Sequence, residues 1–509
     1  MMRKITAFVC GLVMLFSLSA CKPNGQDSTD TSSTQSGQQT ESKVSVTLPY
    51  TAKDLLNPYL AKTKQNQELS NLLYDPLIKV DNSFEPIYFL AEKVEQTDKK
   101  IVVRLRSASF TDGAPVTSDD VIYSIKQAKA DGSNYRSRLS NIVNCYAVDS
   151  LSLVIEIGHA DPYYINNLDF PVIKSGTASL KNENNISVAP IGCGRYTLQS
   201  GKGYSLAANK NYYRGDIKLD TIELVDCPDE DSLAHYLSIG KISLVYSDLS
   251  DSVIPKLTGA TTKTPSTCLV YLGVNSHNGL LSDPKMRMAI SFGVDRKAVC
   301  NNAYFGYAQP ATSLFHPKWS SIGGLESIDS LQNINLAVAY LEDLGYNTLD
   351  TEGYRLNEKG DRLTLRLLYN SENSARAAAA NKITAQLKKC GLAVEQVSAD
   401  FNEYRRLLET GSFDIYIGEV RLSNSMDLYP VLIERAAVYG MPEQSQASAA
   451  FLSYYSGESD LLSAVSAFVS EMPFIPLCYR DGVILSDKKI AQVISYSPSD
   501  LYNNIESLK

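Results

Sequence analysis

The stretch "LTLRLLYNSENSARAAAANKITAQLKKCGLAVEQVSADFNEYRRLLETGSFDIYIGEV", residues 363–420, decides the fold. Its first eight residues are mostly apolar and strand-like, and residues 374–391 then carry an alanine-rich helical pattern that stops at Gly391. "LAVEQVS" (392–398) reads as a second strand, "DFNEYRRLLETG" (400–411) as a helix ended by Gly411, and "FDIYIGEV" (413–420) as a third strand. A β-α-β-α-β series of this kind requires a parallel sheet covered by helices. In open sheets of that class ligands lie beyond the carboxyl ends of the strands, which makes "GEVRLSNSMD" (418–427) a candidate binding segment.

Upstream the pattern differs. "KVSVTLPY" (43–50) alternates like a strand, and "LSNLLYDPLIKVD" (69–81) has helical spacing up to Pro76. "IVVRLR" (101–106) is strand-like, and Thr117 stands three residues before Asp120 as a capping-box start for a helix burying Val121, Ile125 and Ala128. From residue 150 to 226 strands and turns dominate. The chain is thus α/β with mixed sheets, and residues 43–509 suffice for several domains.

At the start of the chain, Arg3 and Lys4 precede an apolar run from Ile5 to Leu18, too short to span a bilayer comfortably. Leu18-Ser19-Ala20-Cys21 resembles the lipobox of bacterial lipoproteins, which implies a signal peptide over 1–20 and a lipidated thiol at Cys21. An ordinary secretory signal that contains a cysteine is the plainer alternative. Residues 22–42, rich in Ser, Thr, Gln and Gly, cannot offset the entropy of ordering and are expected to form a disordered tether with Cys21 at its head. Such a chain reaches about 25 Å. These features put the protein at the bacterial cell envelope, lipid-anchored on the outer face of the cytoplasmic membrane.

The net charge of −8, with scattered basic residues, argues against a nucleic-acid surface. Beyond Cys10 and Cys21 there are cysteines at 145, 193, 227, 268, 300, 390 and 478, without a C-x-x-C pair and in apolar runs such as "TCLVYLGVN". Buried free thiols fit better than a disulfide framework, although one bridge stays open. The four histidines are isolated, so no metal centre is expected. "GCGRYT" (192–197) lacks the third glycine of a dinucleotide fingerprint, and the Ser-x-x-Lys matches at Ser238, Ser282 and Ser486 lack their partner Lys-Thr-Gly. Asp119-Asp120 is a helix start meeting the macrodipole rather than an acid/base pair. No cofactor and no catalytic machinery are expected; capture of a ligand fits better than turnover.

"LLYDPLIKVDNSFEPIYFLAEKVEQTDKKIVVRLRSASFTDGAPVTSDDVIYSI" (72–125) resembles the N-terminal signature of family 5 extracellular solute-binding proteins, the peptide- and nickel-binding receptors of ABC importers. "IGCGRYTL" (191–198), "NKNYYRGDIKLDTIEL" (209–224), the segment from Tyr271 to Pro317 and "MPFIPLCYRDGVILSDKKIAQV" (472–493) follow in family order. The resemblance implies a two-lobed clamshell of the periplasmic-binding-protein type II, cluster C-like, with two crossover strands, "LVYLGVN" (269–275) and about "FIPLCYR" (474–480). Residues 43–268 and 474–509 would make the large lobe, with an inserted subdomain near 75–185, and 269–473 the second lobe. The implied partners are a small-molecule or peptide ligand, permease and ATPase subunits, and the membrane through the lipid anchor; the protein itself would be a monomer. A ligand-sensing or chaperone-like binding lipoprotein uncoupled from import is the alternative, separable by neighbouring permease and ATPase genes.

One motif departs from the family. Peptide-binding members follow the strand equivalent to "FDIYIG" with an aromatic residue and an aspartate for the peptide's amino group, whereas this chain has Glu419-Val420-Arg421 and then "LSNSMD"; Asp427 matches a later acidic position that caps the next helix. Glu419 could take the ammonium and Arg421 a carboxylate, or the pair is simply solvated beyond a strand end. With the crossovers contributing Asn275, Tyr479 and Arg480, and Tyr50 approaching from the other lobe, the expected ligand-binding set is Tyr50, Asn275, Glu419, Arg421, Tyr479 and Arg480.

Overall fold

The computed structural model describes residues 45–201, 203–249, 260–322 and 332–508. The signal peptide, the tether and Cys21 lie outside the described residues. The elements that position the site are β1 (Thr47–Tyr50), α1 (Lys64–Leu73), β2 (Leu244–Ser247), β3 (Ala260–Val274), β4 (Thr364–Asn370), α2 (Ser374–Lys388), β5 (Ala393–Ala399), α3 (Phe401–Glu409), β6 (Ile415–Arg421) and β7 (Phe474–Ser486).

Residues 363–420 form the five elements read from them. Asn373 caps α2 by accepting from the Arg376 N–H at 3.0 Å, and Asp400 caps α3 by accepting from the Glu403 N–H at 2.9 Å. Such side-chain oxygens satisfy donors that the first helical turn leaves unpaired. β4 pairs in parallel with β5 on one side and with β6 on the other. The sheet continues from β6 to β3, β7 and β2 through antiparallel pairs, so its order is β2-β7-β3-β6-β4-β5, with Ala308–Pro310 also pairing β7. Upstream, the Ser118–Ala128 helix buries Val121, Ile125 and Ala128, and the Asp120 carboxylate accepts from Thr117 N at 2.9 Å and Oγ1 at 2.7 Å.

Two large hydrophobic cores flank this sheet's crossovers. One gathers residues from Leu269 to Tyr479 together with Phe84; the other gathers residues from Val46 to Leu244 together with Ile484 to Leu508. β3 and β7, at 15 and 13 residues, are more than twice the usual strand length of about 5–6. β7 serves both cores, lending Phe474 to Tyr479 to one and Ile484 to the other, whereas β3 lends Leu269 to Val274 to the first. Register shifts interrupt the β3–β7 ladder between Thr264 and Cys268 and between Val270 and Tyr271. The C-terminal segment is tied into the second core by charge. Asp500, fully buried, accepts from Lys79 Nζ at 2.6 Å and from Arg195 Nη2 at 2.8 Å, and Arg195 also reaches Glu506 at 2.8 Å.

Close packing of β3 on β6 depends on two glycines. Tyr271 lies opposite Gly418 and Tyr416 opposite Gly273 in the ladder. A Cβ on Gly273 would stand 1.9 Å from the Tyr416 ring, and one on Gly418 would stand 2.4 Å from the Tyr271 ring. Each ring occupies the space that the facing side chain vacates. Among the described residues the seven cysteines from Cys145 onward are free thiols, and only Cys145 is not fully buried. No described helix is long and apolar enough to cross a membrane.

Candidate functional site

The site builds up from one row of the sheet. Cys268 on β3 lies opposite Arg480 on β7 and opposite Arg421 on β6, while Val270 lies opposite Glu419 and Cys478. Directly opposed residues share a face and positions two apart repeat it, so Arg480, Arg421 and Glu419 project to one side. There they meet the end of β2 and the first turns of α1. Arg480 Nη2 donates to Glu419 Oε1 at 2.7 Å and its Nη1 to the Asp248 carbonyl at 2.9 Å. Arg421 Nη2 donates to Asp248 Oδ2 at 3.1 Å, and Lys64 Nζ stands 3.2 Å from the same oxygen.

Burial opposes the charge of both arginines. Glu419 and the other anionic and polar groups nearby more than offset this for Arg480, as do Cys268, Tyr246 and Asp248 for Arg421, and both guanidiniums are held above their usual value. Burial pushes the Cys268 thiol up, against the pull of the flanking arginines. Glu68, one helical turn after Lys64, is only partly accessible. Burial raises its carboxyl to about 7, Lys64 and Arg421 pulling it down and Asp500 and Asp248 pushing it up.

A second set of polar contacts joins residues 159–169 to residues 424–429. His159 Nε2 lies 3.0 Å from Asp427 Oδ2, and its ring stacks on Tyr429 at 3.9 Å. Asn424 Nδ2 donates to Asp169 at 2.6 Å and Asn167 Nδ2 to Ser425 Oγ at 3.0 Å. Asp427 also accepts from the Tyr429 N–H two residues on, in an Asx turn, but the cap position of the short helix that follows is Leu428, so Asp427 stands one residue ahead of it rather than capping it. Asp161 beside it is raised well above the usual carboxylate range, first by burial and then by the charge of Asp427.

Of the six residues expected in the site, the structure brings together Glu419, Arg421 and Arg480. The other three lie apart from that row. Asn275 follows the end of β3 that pairs with the start of β6, five positions from Val270, about 16 Å along the strand; its Nδ2 donates to the Gly411 and Phe413 carbonyls at 3.1 and 3.0 Å. Tyr479 alternates to the face opposite Arg480, fully buried, with its hydroxyl on the Leu314 carbonyl and its ring edge on His316. Tyr50 packs edge-on against Tyr204 at 5.5 Å and lines a cavity of about 640 Å³ whose walls come only from residues 50–74, 111 and 182–204. Lys64, Glu68 and Asp248 were missed. The i, i+4 charge pair Lys64/Glu68 was the available signal, but nothing local links α1 to Asp248.

Residues 85–432 match the model of the bacterial extracellular solute-binding proteins, family 5 Middle. The oligopeptide-binding protein AppA of Bacillus subtilis (strain 168) is 24% identical over 456 residues, 84% of this chain and 83% of AppA. The glutathione-binding protein GsiB of Shigella flexneri is 26% identical over 277 residues, so that match spans about half of either protein, 52% and 54%. Among solved structures, an ABC transporter substrate-binding protein from Sinorhizobium meliloti superposes with a TM-score of 0.72 at 16% identity, over 91% of this chain and 99% of that one. The shared fold is the two-lobed type II architecture of periplasmic binding proteins.

Proposed function

Because the chain belongs to family 5 of the bacterial extracellular solute-binding proteins, a family of receptors rather than enzymes, we propose that it is the ligand-capturing component of an ABC importer, taking up an oligopeptide or peptide-like solute. On this reading residues 43–268 with 474–509 form one lobe and residues 269–473 the other. The ligand is enclosed between them and passed to permease and ATPase subunits. Cys21 carries the lipid that holds a monomeric receptor at the outer face of the cytoplasmic membrane.

The observation that carries the reading is the charged cluster at the base of the two long crossovers. Lys64, Asp248, Glu419, Arg421 and Arg480 come from both flanks of the hinge strands, and their alternating signs suit a ligand with charges of both signs. AppA is described as binding oligopeptides and GsiB as binding glutathione, both ligands of that kind. Mass spectrometry of the small molecules released when the purified protein is denatured tests the proposal. Peptides or peptide-like solutes are expected, and recovery of only uncharged compounds would contradict it. The anchor is tested separately: Cys21→Ala should leave the protein in the aqueous phase of a detergent partition, and equal partitioning of variant and wild type would remove the lipid from the account.

A further inference from the structure

Besides the crossovers, a second connection joins the two cores. Strands Ile78–Val80 and Pro86–Tyr88 form a hairpin, and its Ile78 and Val80 belong to the core gathered from Val46 to Leu244. Asp81 fixes the turn, its carboxylate accepting from the Ser83 and Glu85 N–H groups at 2.7 and 3.0 Å. At the tip Phe84, fully buried, enters the other core, its ring 4.9 Å from that of His316. Asn166 Nδ2 donates to the Phe84 carbonyl at 2.8 Å, and Ser320 Oγ donates to Glu85 Oε1 at 2.8 Å. Around the tip, Tyr163 meets Trp319 edge-on at 4.6 Å, the Ala160 N–H donates to the Tyr455 carbonyl at 3.1 Å, and Asn167 donates to Ser425.

This contact holds features that favour its release. Phe84 has a φ of 59° and Met426, buried on the opposite side, a φ of 51°. Bulky residues pay for that left-handed backbone, and such strain persists where clamps and switches are built. Asp161 Oδ2 and Trp319 Nε1 come from opposite sides of the contact and line the same small cavity. Both are buried without a hydrogen-bond partner among the described residues, a cost that is relieved when water reaches them. Against these terms stands the burial of the Phe84 ring. Opposing terms of similar size make a contact that can be made and broken.

We propose that Phe84 is the tooth of a releasable clasp between the two lobes, seated when they close and withdrawn when they part, so that its ring sets how much of the protein is closed. This rests on the two-lobed reading, in which residues 78–88 and 159–169 fall in one lobe and residues 315–321 and 424–455 in the other. Phe84 then governs affinity without touching the ligand, because apparent affinity scales with the fraction of protein in the competent form.

The test places thiols where Asn167 and Ser425 touch. The full chain carrying Asn167→Cys and Ser425→Cys is treated with a short bifunctional thiol reagent in the absence of any solute, and bridging is followed by mass spectrometry. Adding Phe84→Ala should slow bridging about tenfold or more, the worth of a buried aromatic ring. Alanine keeps a Cβ at the same φ, so the comparison reads the ring alone. Phe84→Leu should slow it less, and carries the test if the alanine variant does not fold. The bridged protein should have a smaller radius of gyration than the unbridged one. Bridging that is as fast in the Phe84 variants as without them, or a radius unchanged by the bridge, overturns the clasp. An equimolar tripeptide pool then separates the two readings by native mass spectrometry: the unbridged protein should take it up and the bridged one should not. Equal uptake by both overturns the clasp, whereas uptake by neither contradicts the receptor reading and leaves the clasp to the bridging rates.

Discussion

The two ends of the β3–β6 ladder are built from the same strands and do opposite things. At the end where Val274 faces Ile415, Asn275 spends its amide on two carbonyls, Asp414 accepts from Asn278 and from the Arg366 backbone, and the chain is sealed. At the other end, where Cys268 sits between Arg480 and Arg421, the side chains reach across to β2 and α1 instead. Local hydrogen bonds close a strand end; long-range charge pairs leave it able to meet something else. On the proposed function, that contrast, more than the number of charged residues, marks the end that takes the ligand.

The comparison breaks most sharply at Arg480. Removing one member of a buried ion pair leaves the other uncompensated, so Arg480→Ala should lose about 3–5 kcal/mol of stability in denaturant titration, and a loss under about 1 kcal/mol would mean that Glu419 is solvated. Next comes the close-packed middle of the ladder. Gly273→Ala drives a Cβ into the Tyr416 ring and should cost about 1–3 kcal/mol or more, whereas an unchanged melting temperature would mean that the rings are free to move. Asn275→Ala at the Val274 end should cost about 0.5–1.5 kcal/mol, because water can reach the carbonyls it leaves, with ligand affinity unchanged. A large loss of affinity in that variant would return Asn275 to the site.

The smallest effect is the most selective. Because burial raises the Glu68 carboxyl to about 7, the folded protein binds more protons than the unfolded chain between the usual carboxylate range and pH 7, and its stability falls as pH rises through that window. Glu68→Gln removes this penalty. It should therefore raise the melting temperature relative to wild type at pH 8 and leave it nearly unchanged at pH 4, and an equal shift at both would show that the carboxyl titrates normally.

How much of this was legible in the sequence depended on range. The five elements of residues 363–420 could be read because each is specified by its own periodicity, cap and stop, as Asn373, Asp400, Gly391 and Gly411 illustrate. The period of two also placed Glu419 and Arg421 on one face. It could not say which crossover residues share that face, because this depends on the register between β3 and β7 and on shifts such as the one between Val270 and Tyr271. Tyr479 was therefore put beside Arg480 rather than behind it, and Asn275 was placed by adjacency to a crossover instead of by its end of the strand. Asp248 and Lys64, which are 3.2 Å apart in space, lie far apart in the chain, and no local pattern pairs them.

The central claim is that two lobes joined by β3 and β7 close over a charged solute. It is tested most directly by small-angle X-ray scattering of protein stripped of ligand by unfolding and refolding, then titrated with the solute recovered from it. Lobe closure changes a few torsions at the crossovers and leaves both cores intact, so the radius of gyration should fall on saturation while the circular dichroism spectrum stays the same. A radius of gyration that does not change at saturating solute would contradict the account.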